Sequence, residues 1–338
     1  MFKGFVYSQD TEYVNCPIVP RIPGYSYRDV SALGVAIFLN STDDVETFLN
    51  SGCDINYDGV YREYEETKCE NPLFESLNIP CKRTIRFEGY TPLNLATIGG
   101  TAETVRRLLR VPDIDVNAAS TFPSSPLTNA AANGNLEMVR LLVDAGADLN
   151  QRDGEEELTV LMKALNAESL PVVEYLISKG ADVNAEDARG YTAVAWAAEN
   201  RNPEFIKVLA EAGADLNKLQ GPNGENALHI AVRNGNLEVV QYILSRGVDL
   251  EAKDSKGRTA LFNAALVGYT DVIQALLRAG ADINTDVGTG DVELNALIGA
   301  IVGENADAVE LLIRNGADVN FQDSKNFTPA YHAAVVNI

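Results

Sequence analysis

A five-residue phrase that returns about every 33 residues constrains the fold of this chain more than any other feature. The phrase reads GADLN, GADVN or GADIN, and its full copies end at Asn150, Asn184, Asn217, Asn284 and Asn320. Looser variants of the phrase end at Asn56, Asn117 and Glu251. A fixed period in this range is typical of a solenoid, in which each repeat packs only against its neighbours.

Residues 254–284 show how one repeat is built. Thr259 is placed to cap a first helix, because its hydroxyl can accept a hydrogen bond from an N–H of the first turn, and Gly268 ends that helix. A second helix over residues 270–279 carries an apolar stripe at helical spacing, and Gly280 supplies the left-handed residue that ends it. Neither helix can bury its apolar side within one repeat, so the repeats are predicted to stack.

The stretches GYTPLNLA at 89–96 and NALHIAVRNGNLEVVQYILSRGVDL at 226–250 resemble ankyrin repeats. The resemblance covers about nine-tenths of the chain. It implies an all-α repeat solenoid, in which helix-turn-helix repeats with β-hairpin loops stack into a curved array with a concave face. We count eight two-helix repeats and a ninth that stops after one helix, over residues 31–338. Residues 1–30 are predicted to form a non-repeat arm, and residues 57–86 an insertion.

The resemblance also assigns framework roles. His229 stands where the ankyrin pattern places its own histidine, which ties adjacent hairpins by hydrogen bonds. Asp113 replaces the glycine that ends a second helix, and Asp tolerates the left-handed backbone better than most residues. Trp196 occupies the inward apolar position of its helix, so we interpret it as a core residue rather than a binding residue.

The charge balance limits the class of partner. The chain holds 48 acidic and 27 basic residues, which gives a formal net charge of −21. Binding to nucleic acid or to an anionic membrane requires clustered Lys and Arg, so we expect neither partner. A basic partner protein would instead be attracted at long range. Each complete repeat carries one framework Asp in its recurring phrase, but most of the acidity lies outside that phrase.

Three absences in the sequence bear on location and redox state. The N-terminal segment has no apolar signal-peptide core, and no stretch reaches the roughly 18 apolar residues of a membrane span. The cysteines lack a zinc-binding spacing and stand at Cys16, Cys53, Cys69 and Cys81. We expect free thiols, with a Cys69–Cys81 disulfide as the alternative. A cytoplasmic location is predicted, and delivery into another cell by a signal-independent route stays open.

Catalysis and metal binding are not indicated. The two histidines, His229 and His332, stand three repeats apart. They would lie on the order of 30 Å apart if each repeat adds about one helix diameter, so they cannot share a site. The sequence has no G-x-S-x-G, H-E-x-x-H or C-x-x-C motif and no glycine-rich phosphate loop. We therefore predict a non-enzymatic protein without a cofactor or metal.

The ankyrin resemblance places binding on the concave face, at the hairpin tips and at the ends of the first helices. Tyrosine, which commonly anchors interfaces, is also concentrated near the N-terminus, where eight of thirteen tyrosines lie within residues 1–90. The candidate partner-binding residues are Tyr61, Tyr64, Tyr90, Ile98, Tyr191, Glu199, Arg233, Arg258 and Phe327. The arm and insertion have two roles that stay open, capping of the first repeat and contact with the partner.

Three functional hypotheses follow from these patterns. The first is a protein–protein interaction scaffold that binds through its concave face and tyrosine-rich N-terminal extension. The second is an acidic inhibitor of the immunity or antitoxin type, which blocks a basic toxin or enzyme. The third is a delivered effector that docks on host proteins. The sequence identifies neither the partner nor the oligomeric state.

Overall fold

The computed structural model describes residues 45–46, 91–118, 124–200, 202–288 and 293–336. Within these ranges the chain folds into fifteen α-helices and two short strands. The chain divides into two compact units, residues 1–155 and 156–338. The predicted arm, the predicted insertion and all four cysteines lie outside the described residues.

Fourteen of the described helices form seven consecutive pairs. The pairs are α1 (Pro92–Gly99) with α2 (Ala102–Leu108), α3 (Pro126–Ala132) with α4 (Leu136–Asp144), α5 (Val160–Asn166) with α6 (Leu170–Ser178), α7 (Ala193–Glu199) with α8 (Pro203–Glu211), α9 (Ala227–Arg233) with α10 (Leu237–Ser245), α11 (Ala260–Val267) with α12 (Thr270–Ala279), and α13 (Ala296–Val302) with α14 (Ala306–Arg314). A single helix, α15 (Pro329–Val336), follows. The strands, β1 (Arg152–Asp153) and β2 (Leu158–Thr159), lie on either side of the boundary between the units.

The helix ends form at the residues that the sequence predicts. The hydroxyl of Thr259 accepts a hydrogen bond from the N–H of Phe262 at 3.3 Å, which caps α11. Gly268 ends α11 with φ +88° and Gly280 ends α12 with φ +98°, both in the left-handed region that glycine adopts without steric cost. Asp113 also has a left-handed backbone, with φ +62°, as predicted for this replacement of glycine.

In each unit the first helices of successive repeats pack on one another, and so do the second helices. These contacts form the core of the unit. In the first unit α1 packs on α3 and α2 packs on α4. In the second unit the first helices pack in the order α5, α7, α9, α11, α13 and α15, and the second helices from α6 to α14 do the same. On α12 the side chains of Val272, Ile273 and Leu276 are buried. Burial of such a side chain stabilises the fold by at most about 1.5–3 kcal/mol, because a compact unfolded chain already buries part of the same surface.

The recurring phrase forms a ladder of hydrogen bonds between repeats. Within one phrase the N–H of Asn217 donates to the Asp215 carboxylate at 2.9 Å. Between phrases the side-chain oxygen of Asn217 accepts from the N–H of Asp249 in the next repeat at 2.8 Å. The N–H of Asp215 donates in the same way to Asn184 of the preceding repeat at 3.1 Å. The Asp and Asn of the phrase therefore recur because each closes a turn or links two turns.

Hairpin loops precede the first helices of the second unit. Antiparallel bridges join Glu186 to Thr192, Gln220 to Glu225, and Val287 to Leu294. These bridges agree with the predicted β-hairpin loops. Among the described helices, none combines the length and the apolar character that crossing a lipid bilayer would require.

Candidate protein-binding surface

The first helices from α1 to α13 are mostly buried up to their last one or two residues, whereas α15 buries only Pro329. On α9, for example, all residues from 227 to 232 are buried, and only Arg233 is exposed. We call the surface made by these last residues and the preceding hairpin tips the first-helix face of each unit. In the first unit its helix ends are Ile98 and Ala132, and in the second unit its members are Asn166, Tyr191, Glu199, Arg233, Arg258, Val267, Leu294, Val302, Phe327 and Val335.

Glu199 and Arg233 form an exposed ion pair on the first-helix face of the second unit. The Arg233 guanidinium lies 3.1 Å from Glu199 and 3.6 Å from Glu225. Glu225 is buried, and its Oε2 atom has no hydrogen-bond partner. Arg233 therefore compensates a buried carboxylate on one side and an exposed carboxylate on the other. Exposed pairs contribute only about 0–1 kcal/mol, so Glu199 can exchange its ion pair for a partner's charge at small cost.

The sequence predicts an exposed Tyr191 at a hairpin tip, but its side chain is half-buried. Its ring packs against Ala195, Ala198 and Ile230. The Arg189 guanidinium lies 5.3 Å from the centre of that ring, a cation–π distance. Tyr191 is thus held from two sides and leaves part of its side chain accessible to solvent.

Trp196 is also half-buried, which agrees only in part with its interpretation as a core residue. Its indole N–H is buried and has no hydrogen-bond partner, while the Arg189 guanidinium lies 6.0 Å from its ring centre. Trp196 and Tyr191 therefore share Arg189 as a common neighbour. Together the three side chains form an aromatic and cationic cluster, and Trp196 stands three residues before Glu199 on α7.

Arg258 is bound within its own hairpin, and its side chain is partly buried, whereas the sequence predicts an exposed residue at this hairpin tip. Its guanidinium donates to the buried Asp254 carboxylate at 2.7 and 2.9 Å, and its N–H donates to the same group at 2.9 Å. Burial alone would raise the pKa of Asp254, but the hydrogen bonds from Arg258 outweigh it and lower that pKa. The Arg258 carbonyl also lies 3.0 Å from Nε2 of His229, which confirms the link between hairpins that the ankyrin pattern implies.

Phe327 is partly buried in an aromatic group at α15. Its ring stacks on Tyr331 with the centres 4.0 Å apart and the planes 9° from parallel. The edge of His332 packs on Phe327, and Nε2 of His332 lies 2.9 Å from the Asp323 carboxylate. Tyr331 covers part of Phe327 and is itself exposed, so Tyr331 is the more accessible ring.

The remaining candidates lie in the N-terminal part of the chain. Ile98 is 46% exposed at the end of α1, on the first-helix face of the first unit. Tyr61, Tyr64 and Tyr90 lie outside the described residues. Partner contact by all nine candidates stays a prediction.

Several exposed apolar residues of the second unit are absent from the candidate partner-binding residues. These residues are Val267, Val302, Tyr331 and Val335. The signal that could have found Val302 is its position, because it stands six residues after the first residue of its helix, as Ile98 does in α1. The apolar character of α13 made Val302 resemble a core position.

The family model for ankyrin repeats matches this chain in three overlapping stretches, at residues 68–153, 127–220 and 212–287. These stretches together cover more than half of the sequence. The chain belongs to the ankyrin repeat family, and its fold class is an all-α repeat solenoid with hairpin loops. The repeat period and the stacked helix pairs agree with this assignment.

Three curated relatives with different names each match part of this chain. The B-cell lymphoma 3 protein homolog of Mus musculus is 29% identical over 237 residues, 68% of this chain and 45% of that protein. The ankyrin repeat and KH domain-containing protein mask-1 of Caenorhabditis elegans is 33% identical over 258 residues, 75% of this chain and 9% of that protein. An L-asparaginase of Dirofilaria immitis is 35% identical over 101 residues, 30% of this chain and 17% of that protein. The chain spans less than half the length of each of these relatives.

Proposed function

We propose that this chain is a non-enzymatic interaction module, which holds a partner protein on its first-helix face and with its tyrosine-rich N-terminal extension. Ankyrin repeats form protein–protein interaction domains, because a stacked array offers an extended surface of repeated positions. The finer statement, which surface and which residues bind, is the proposal. Glu199, Arg233 and Ile98 are its accessible candidates in the described residues.

One observation carries this proposal: a uniform framework displays a variable row of side chains. The ends of the first helices from α1 to α13 are exposed, while most of each of these helices is buried against its neighbours. Stacking does not dictate the residue at these ends, which is Asn166, Glu199, Arg233 and Val302 in successive or nearby repeats. Exposed side chains that differ from repeat to repeat on a constant scaffold are suited to recognise a partner.

Site-specific photo-crosslinking tests the proposal. The photoreactive residue p-benzoylphenylalanine would replace Glu199 on the first-helix face or, as a matched control, the exposed Glu238 at the start of α10. Each variant would be irradiated in the cells that make the protein. We expect a covalent adduct with another protein at position 199 and none at position 238. Adducts at position 238 alone, or at neither position, would contradict the proposal.

The acidic inhibitor is the second candidate, because the net charge of −21 favours a basic target. If the cross-linked partner is a basic toxin or enzyme, one equivalent of this chain should abolish its activity. The association rate should fall by at least about tenfold between low and high salt, since electrostatic steering is screened by ions. A rate independent of salt would argue against this candidate and leave the interaction module intact.

A further inference from the structure

The first-helix face of the second unit changes character along the array. Its first helix ends are polar, at Asn166, Glu199 and Arg233. Its later helix ends are apolar, and Val267 and Val302 are each 50% exposed and Val335 63%. We call the group of Leu266, Val267, Val302, Tyr331 and Val335 the apolar stripe.

Backbone contacts bring the members of the apolar stripe together. The Asn305 side chain donates a hydrogen bond to the carbonyl of Leu266 at 2.9 Å. Gly303 lies so close to that carbonyl that a side-chain carbon at position 303 would overlap it. These two contacts fix the end of α13, with Val302, beside the end of α11. Because α15 packs on α13 in turn, Val335, which has the same position in its helix as Val302, continues the row, and Tyr331 stands one helical turn before it.

The array does not need apolar residues at these positions for its stability. The position of Leu266, Val302 and Val335, six residues after the first residue of the helix, holds Asn166, Glu199 and Arg233 in repeats that stack in the same way. A half-exposed valine gains little free energy from burial, and contiguous exposed apolar side chains with a polar surround mark binding surfaces. The apolar stripe is therefore better explained by a ligand than by packing.

Acidic residues outnumber basic ones in the segment that carries the apolar stripe. Residues 266–335 hold ten acidic and three basic residues, and one of the basic residues, Arg314, is paired with Glu310. Glu293 precedes α13 and Glu304 follows it, and both side chains are exposed. Neither carboxylate forms an ion pair within the described part of the chain. Their charges are available to a cation that arrives with a ligand.

We propose that the apolar stripe binds a segment of a partner protein in which apolar side chains are flanked by Lys or Arg. The apolar side chains would cover Val267, Val302 and Val335, and the flanking cations would pair with Glu293 and Glu304. This inference rests on the proposed interaction function and specifies the chemistry of the partner. It places the recognition of that segment on α11, α13 and α15 rather than on Tyr191 and Arg258.

Three fluorescein-labelled peptides of about twelve residues test the two requirements separately. The first peptide alternates leucines with lysines. The second replaces the leucines by serines, and the third replaces the lysines by glutamates. Binding to the full chain is followed by fluorescence anisotropy. We expect the leucine–lysine peptide to bind at least about tenfold more tightly than either of the others. Equal binding of the leucine–glutamate peptide would overturn the proposal.

A pair of matched double variants locates the binding. Val267→Ser with Val302→Ser removes apolar surface from the stripe, whereas Ile313→Ser with Val319→Ser removes it elsewhere in the same unit, at residues that are 47% exposed. We expect the first double variant to lose about tenfold in affinity for the leucine–lysine peptide and the control less than about twofold. Equal losses in the two variants would overturn the proposal.

Two further outcomes separate this inference from the proposed function. If the cross-linker at position 199 captures a partner but the leucine–lysine peptide does not bind, the proposed function stands and the partner chemistry is wrong. If sedimentation shows a concentration-dependent dimer that Val267→Ser with Val302→Ser abolishes, the stripe is covered by a second copy of the chain. That result would also overturn the inference.

Discussion

At the scale of single residues, His229 shows how one buried side chain joins two repeats. Its Nδ1 lies 2.6 Å from the Asn226 side-chain oxygen, and its Nε2 lies 3.0 Å from the carbonyl of Arg258 in the next hairpin. Burial lowers the pKa of His229, because the imidazolium would lose its hydration. The carbonyl of Arg258 and the carboxylate of Asp254 oppose this effect without cancelling it.

The lowered pKa of His229 predicts a dependence of stability on pH. Below its ordinary value of 6.5 the unfolded chain binds a proton that the folded chain resists. The stabilisation by neutral His229 is therefore complete above about pH 6.5 and is lost as the pH falls toward the folded-state pKa. We expect His229→Gln to lower the free energy of unfolding at pH 7.5 and to flatten its decline as the pH falls below about 6.5.

Urea titrations at several pH values measure this slope. His332→Gln, which changes the other histidine, shows how much of the decline belongs to that residue. If the profiles of wild-type protein and His229→Gln run parallel, the titration of His229 does not contribute.

Arg258 is predicted to act on stability more than on binding. Its removal in Arg258→Ala leaves the Asp254 carboxylate buried without its guanidinium donors, which costs about 1–3 kcal/mol. Arg106→Ala serves as the comparison, because Arg106 bonds only exposed carboxylates, and its effect should be smaller. Thermal unfolding of the two variants tests this ranking. If Arg258→Ala unfolds at the same temperature as the wild type, Arg258 is instead a candidate for partner contact.

The difference between Thr259 and Arg258 shows what the sequence could predict at this scale. The cap at Thr259 and the left-handed glycines depend on local backbone geometry and on position in the repeat, both of which can be read from the chain. The pairing of Arg258 with Asp254 depends on which way a long side chain turns. The sequence reads the same whether Arg258 and Asp254 are both exposed or form an ion pair. Their pairing and accessibility therefore had to come from the structure.

At the scale of helices, the close approach of α13 to α11 depends on Gly299. A side-chain carbon at this position would lie 2.8 Å from the Phe262 ring, well inside van der Waals contact. We expect Gly299→Ala to lower the free energy of unfolding by about 1–3 kcal/mol, because the ring or the helix must shift. Urea unfolding at constant pH gives the value.

A double variant tests the cause of this loss. Phe262→Leu removes part of the opposing ring, so Gly299→Ala should cost less in that background than in the wild type. If the two losses simply add, the contact between Gly299 and Phe262 is not the source of the destabilisation.

The number and spacing of the described helix pairs could be predicted, because the period of the sequence fixes them. Which side chains at the helix ends are exposed could not be predicted in the same way. Val302 and Ile301 are both apolar neighbours near the end of α13, yet Ile301 is buried and Val302 is half exposed. Which of them faces solvent is decided by the direction of one helix relative to the next.

At the scale of the whole molecule, two electrostatic effects oppose each other. Exposed ion pairs, such as Arg106 with Glu103, stabilise the fold by at most a small amount each and weaken as salt is added. The excess of 48 acidic over 27 basic residues destabilises the compact state through mutual repulsion, which salt also weakens. The repulsion has the longer range and involves more groups, so it should determine the net response to salt.

The thermal midpoint at pH 7.5 is therefore expected to rise by a few degrees between about 20 and about 300 mM NaCl, as screening shortens the range of the repulsion. The sequence pI is about 4.5, so the net charge shrinks toward pH 5 and the same addition of salt should raise the midpoint less. Scanning calorimetry at the two pH values gives both slopes. A fall in the midpoint at pH 7.5 would mean that attractive pairs outweigh the repulsion, and then a partner's cations would stabilise this chain less than its net charge suggests.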